Sequence, residues 1–294
     1  MEGLAQIDGW TVAAILAKAL GYGAALLAMG GPFFVAAFPL AAPDVRRFAI
    51  RIAVVAAVLL IAVLALRFGI RAARISGMGL PGMVDPMMLA FVWDSPLGTA
   101  ALWRGAGVVL VLGLLVPGLF GRVAALFGPL LIAISYTSVG HSLGEPRWLL
   151  AALLVLHLLA AAFWVGALAP LHHAAVGAEG AALLHRFGKA AAMTVPLLII
   201  VGSIFAWIMT GSLSALFATA YGWTLIAKLT FVSGLLGLAG LNKWRLVPAL
   251  ADDRVEDRTA HTTARPLTKL SETRYSNSAS VPQVRLGYTG NIVQ

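Results

Sequence analysis

The chain alternates long apolar runs with short polar connections. The runs fall at 11–38, 49–68, 97–120, 123–139, 148–171, 190–210 and 223–241. An α-helix rises 1.5 Å per residue, so about 20 apolar residues cross a hydrocarbon core of about 30 Å, and most of the runs have that length. The pattern therefore predicts an all-α, polytopic transmembrane helix bundle of about seven spans. The third and fourth runs meet at 118–122 and the fourth and fifth near 140–146, connections so short that each pair must be antiparallel neighbours. Small residues inside the runs, among them Gly30, Gly31, Ala162 and Gly166, mark places where membrane helices approach closely. Beyond residue 250 the apolar pattern stops. Residues 251–294 are rich in Asp, Arg, Thr and Ser and read as a polar, disordered tail on a bundle that occupies 1–250.

Composition agrees with the pattern and charge orients it. Hydrophobic residues make up 60% of the chain and charged residues 11%, with mean hydropathy +0.91. A water-soluble fold cannot hide that much apolar surface. The net charge of +9 sits between and beyond the runs rather than on one face, which points to topology signals and away from nucleic acid. Basic residues are retained on the cytoplasmic side. An N-out, C-in arrangement puts Arg46, Arg47, Arg51, Arg122, Arg186, Lys189, Lys243 and Arg245 inside and leaves Arg71, Arg74 and Arg147 outside, with a cytoplasmic tail. The acidic start lacks the basic region of a cleavable signal, so the first run is expected to be retained. There is no cysteine, which leaves His and Met as the soft metal ligands.

Ionisable groups are costly in a bilayer, so each one within a run is a candidate site. His157 lies ten residues beyond Arg147, roughly 15 Å down the fifth run and near mid-membrane. It is either a metal ligand or a neutral imidazole bonded to a neighbouring helix. His141 closes the fourth run after Ser135, Tyr136, Thr137 and Ser138; on an adjacent antiparallel helix it can share an ion with His157 or serve as a helix cap. Met78, Met83, Met87 and Met88 fall between the second and third runs, with Gly77, Gly79, Pro81, Gly82 and Pro86. Thioethers bind Cu(I) in an oxidising compartment, whereas an apolar loop packed on the membrane surface has the same composition. His172 and His173, with His185 further along the same loop, are exit-side ligands or solvated loop residues, and His261 lies in the tail. Lys18, Arg67, Arg104 and Lys228 put positive charge within the outer third, which opposes a bare cation. Snorkelling serves three of them, while Arg104, about seven residues into its run, needs a specific polar partner. No nucleophile elbow, P-loop, zinc-protease or dinucleotide motif is present, so an enzyme is not expected.

Several of these residues stand in runs that resemble the copper resistance protein D (CopD) family. They are Gly140-His141-Ser142, the stretch from His157 through Trp164 and Gly166 to Pro170-Leu171, Tyr221-Gly222 through Leu225 to Lys228, and Leu241-Asn242-Lys243-Trp244-Arg245-Leu246-Val247-Pro248, with Trp103-Arg104 also in pattern. The resemblance spans about 97–250, and the first two runs share only hydropathy with the family. It implies a bacterial inner-membrane protein that moves copper from periplasm to cytoplasm, commonly with a periplasmic copper carrier of the CopC type. His141 and His157 fall on the family's histidines. The family commonly ends with a further apolar helix, where this chain has its polar tail. A second expectation from a different class is a membrane electron-transfer subunit, since two histidines on neighbouring helices can ligate a b-type haem and the outer bases can pair with its propionates. A membrane scaffold without a ligand is the third.

Overall fold

In the computed structural model the described residues are 8–139, 146–175, 177, 180–210, 212–219, 222–223, 225–227, 229–230, 233–234 and 237. Among them the regular elements are all helical. The carboxylate of Asp8 accepts the Thr11 N–H at 2.8 Å and caps α1, Gly9–Ala37. α2, Pro43–Ser76, opens on a proline in its first turn and closes on Gly77 at φ +67, a conformation that a side chain would strain. A 3₁₀ turn, Leu80–Met83, leads into α3, Pro86–Trp93, capped by the Asp85 carboxylate on the Met88 N–H at 2.9 Å. Then come α4, Pro96–Val111, a second 3₁₀ turn, Leu112–Leu115, and α5, Leu119–Ile134. α6, Arg147–Ala175, α7, Gly180–Thr210, and the short α8, Leu213–Ala218, complete the order.

Among the described residues five helical segments are long and apolar enough to cross a membrane: Gly9–Ala37, Pro43–Ser76, Pro96–Leu115, Arg147–Ala175 and Gly180–Ile208. α5 is a shorter apolar helix. Most of the run 223–241 and all of the tail 251–294 lie outside the described residues.

Hydropathy located the helices better than it located their ends. α2 extends past 49–68 at both ends because Arg46, Arg47, Arg51, Arg67, Arg71 and Arg74 lower the hydropathy without breaking the helix. α7 begins ten residues before 190, so His185 stands on a helix and not in a loop. The run 97–120 is divided, since Gly118 at φ +98 turns the chain and hands Leu119 and Phe120 to α5.

Glycine and alanine set the spacing. A Cβ on Gly30 of α1 would meet the Gly166 backbone and the Ala162 carbonyl of α6, and one on Gly31 would meet the Ala53 side chain of α2. α4 and α5 form an antiparallel hairpin whose register is fixed by Gly107 against Gly128 and Gly113 against Gly121. Around these contacts a core gathers Met29, Leu60, Val111, Ile132 and Leu158. α1, α4 and α6 begin at one end of the bundle, the end near Asp8 and α3. α1 and α6 finish at the other, where Phe34, Phe38 and Leu171 form a second cluster.

Candidate functional site

Among the described residues Arg104 and His157 are ionisable side chains held within the bundle, and their surroundings differ. Arg104 is 1% exposed. Its Nε donates to Ser135 Oγ at 3.0 Å, and that hydroxyl in turn donates to the Ile132 carbonyl at 2.5 Å. The guanidinium lies 4.2 Å over the Tyr136 ring, which stacks on Tyr22 of α1 at 5.1 Å with 18° between planes. The partner that the sequence demanded but did not name is thus Ser135 with Tyr136, delivered by the α4–α5 hairpin register. One terminal nitrogen, Nη2, is buried without a hydrogen bond. Half-buried Arg67 on α2 is near enough to act on the same group electrostatically, so the cluster is positive. Lys18 is exposed, as snorkelling requires, and Lys228 lies outside the described residues.

His157 sits on α6 with its ring facing the Leu198–Gly202 turn of α7. A Cβ on Gly202 would stand 3.2 Å from the ring's Cε1 and 3.4 Å from Nδ1, so glycine makes the space that the imidazole occupies. Nδ1 is buried beside the Leu198 backbone of α7, its polar neighbour, without a well-formed hydrogen bond. Both readings of the sequence, a metal ligand and a neutral imidazole bonded to a neighbouring helix, fit this placement, since Leu198 belongs to α7. His141, expected to share an ion with His157, lies outside the described residues, as do Gly140 and Ser142.

The four methionines occupy an ordered segment. Met83 ends the first 3₁₀ turn and packs its terminal methyl over Gly69 of α2. Met87 and Met88 belong to α3, with Met87 74% exposed and Met88 half-buried. Met78, 51% exposed, lies between Gly77 and Gly79. The segment is therefore not an open loop with four equivalent thioethers.

At the opposite end a cavity of about 500 Å³ opens among Asp44, Val45, His173, Leu183 and Arg186. His173 Nε2 is 3.6 Å from Asp44 Oδ2 and its ring stacks on Phe48 at 4.7 Å, and all three of His172, His173 and His185 are exposed. Among the described residues no three His, Asp or Glu side chains come together as a metal site.

No curated protein and no solved structure matches the chain. Residues 7–146 match the family model described as "Copper resistance protein D-like, N-terminal domain", and residues 181–273 match the one described as "Copper resistance protein D". The two matches take in most of the chain. They include the first two helices, which the sequence motifs had left out, and they flank the segment that carries His157.

Proposed function

The chain belongs to the copper resistance protein D family, and from that premise we propose that this multi-pass membrane protein carries Cu(I) across the bacterial inner membrane from periplasm to cytoplasm. The observation that carries the proposal is Nδ1 of His157, buried without a well-formed hydrogen bond midway along a span and lodged in the space left by Gly202. An imidazole whose Nδ1 makes no well-formed hydrogen bond can be recruited as a ligand, and nitrogen suits copper.

In this reading His157 is one ligand of a relay and His141 the other. Met78, the exposed methionine that belongs to no helix, meets copper delivered by a periplasmic carrier of the CopC type. The N-out orientation given by the basic residues places the Met78 segment on the periplasmic side and the Asp44–His173 cavity on the cytoplasmic side. An inward monovalent cation gains about 2.3 kcal/mol per 100 mV of membrane potential, so facilitated movement needs no catalytic residue, and the protein is not an enzyme.

One observation favours a second reading. Arg104 keeps an unused Nη2 with Arg67 close by, and two guanidinium groups suit the propionates of a b-type haem, which would supply one-electron transfer with His157 as an axial ligand.

The test is a Cu(I) competition titration on detergent-purified protein, wild type against His157→Ala, with the absorbance spectrum taken before copper is added. Stoichiometric binding by the wild type, lost in the variant, is expected. Equal binding by both removes His157 from the path, and a Soret band in the purified protein transfers the assignment to haem.

A further inference from the structure

α2 is longer than a bilayer is thick. Its 34 residues rise about 51 Å, against a hydrocarbon core of about 30 Å. After it ends, the chain doubles back along it. Gly82 lies against Ser76 and Ala73, Met83 against Gly69, and the Trp93 ring is 6.0 Å from the Phe68 ring. Between Ser76 and Phe68 the descent is roughly 12 Å at 1.5 Å per residue. It stops beside Arg67, where the apolar stretch of α2 gives way to Arg67, Arg71 and Arg74.

The returning segment is anchored from behind and apolar in front. Val92 is 1% exposed and the Trp93 backbone is pressed against Gly98 at the start of α4, so α3 is clamped between two spans. Outward it presents Leu80, Val84, Met87, Phe91 and Trp93, each at least half exposed. Every residue from Pro86 to Trp93 is apolar, and the charges, Asp85 and Asp94, stand at the two ends. Such a surface is poorly solvated by water. A helix with an apolar face and an aromatic residue, level with the last basic residues of a neighbouring span, matches the headgroup–acyl boundary.

We propose that residues 80–93 form an interfacial wedge, in which the face carrying Val84, Met87 and Phe91 docks on the lipid of the leaflet nearest the N-terminal end of the bundle. The two helices that clamp the segment also expose apolar side chains, Leu66 and Ile75 on α2 and Leu102 and Trp103 on α4. Met87 is then screened from aqueous copper, and Met78 remains as the accessible loop thioether.

The absence of cysteine allows a direct test on the full chain. Single substitutions Val84→Cys, Met87→Cys and Phe91→Cys, with Met78→Cys as the aqueous reference, are spin-labelled and reconstituted in nanodiscs. Accessibility to oxygen, which concentrates in lipid, is compared with accessibility to a water-soluble nickel chelate. The expected result is an oxygen-to-nickel ratio several-fold higher at 84, 87 and 91 than at 78. An aqueous ratio at all four positions overturns the proposal. Labels at 84, 87 and 91 inaccessible to both reagents overturn it in favour of a protein partner or a second copy on this face. Any variant that is not monodisperse before labelling is replaced by its neighbour on the same face, Ala90→Cys. The measurement does not depend on whether the protein carries copper.

Discussion

The α4–α5 hairpin and the α6–α7 pair each hold an ionisable side chain, Arg104 and His157, and they do so in opposite ways. In the hairpin, glycine opposes glycine or a backbone carbonyl, the helices are in backbone contact, and Arg104 is locked by a hydroxyl and an aromatic face. Along α6 and α7 a glycine makes room for a side chain instead, and the imidazole that fills the room has its Nδ1 beside the Leu198 backbone without a well-formed hydrogen bond. α7 also leaves Met193, Ile199, Ile200, Ile204 and Trp207 exposed. The same residue type thus closes one seam and opens the other. Rigidity belongs to the first, and room for a polar side chain to the second.

Substitutions that add one methyl group separate the two uses of glycine. Gly30→Ala drives a Cβ into the backbone of α6, where nothing flexible can yield, and should cost about 3 kcal/mol. Thermal unfolding in detergent would register it, and wild-type stability would show that α1 and α6 are not in contact. Arg104→Lys is expected to rank next. Lysine keeps the charge but cannot donate through Nε to Ser135 while lying flat on Tyr136, so a loss of about 2 kcal/mol is expected in the same assay. Gly202→Ala asks the His157 ring to shift by a few tenths of an ångström. Less than about 1 kcal/mol of stability should be lost, yet Cu(I) affinity should fall several-fold. Gly105→Ala, where a Cβ meets nothing within 4 Å, is the control and should leave both unchanged.

How legible each seam was in the sequence follows from the same contrast. Helix positions, the α4–α5 hairpin and the small residues that allow close approach, Gly30, Ala162 and Gly166 among them, were readable, because hydropathy and residue size are local properties, but which of the small residues meet was not. The partner of Arg104 was not. Ser135 was visible in a polar run, but assigning it to Arg104 requires the register of two helices. The same holds for His157, whose neighbour Gly202 lies 45 residues further along. α3 was missed for a different reason: eight residues among glycines and prolines are too few for periodicity. Its start was nevertheless marked by Asp85 followed by Pro86, a side-chain cap and a first-turn proline.

The smallest expected effect lies at the entrance to α1. The hydrogen bond from Thr11 holds the Asp8 carboxyl below the ordinary aspartate value, so its ionised form is favoured when the helix is formed. A lowered folded value means that the cap's contribution is present above the unfolded value, about 3.9, and is lost as pH falls through the folded one. Hydrogen exchange at the first turns of α1 should therefore be unchanged from neutral pH down to about that value, after correction for intrinsic rates, and should rise below it. In Asp8→Ala it should be fast throughout, and a wild type that frays already near neutrality would contradict the cap.

The meeting of Gly30 with Gly166 also sets an order of assembly. The two residues are separated by more than a hundred positions, and at 5–20 residues per second the ribosome needs on the order of ten seconds to make that stretch. During this interval α1 is already in the bilayer without α6. Its groove at Gly30 faces lipid, and its contact with α2, through Gly31 and Ala53, is the earliest pairing open to it. The α1–α2 hairpin must therefore persist as a nascent intermediate, and a substitution at Gly31 would act during biosynthesis, before the finished bundle exists to be destabilised.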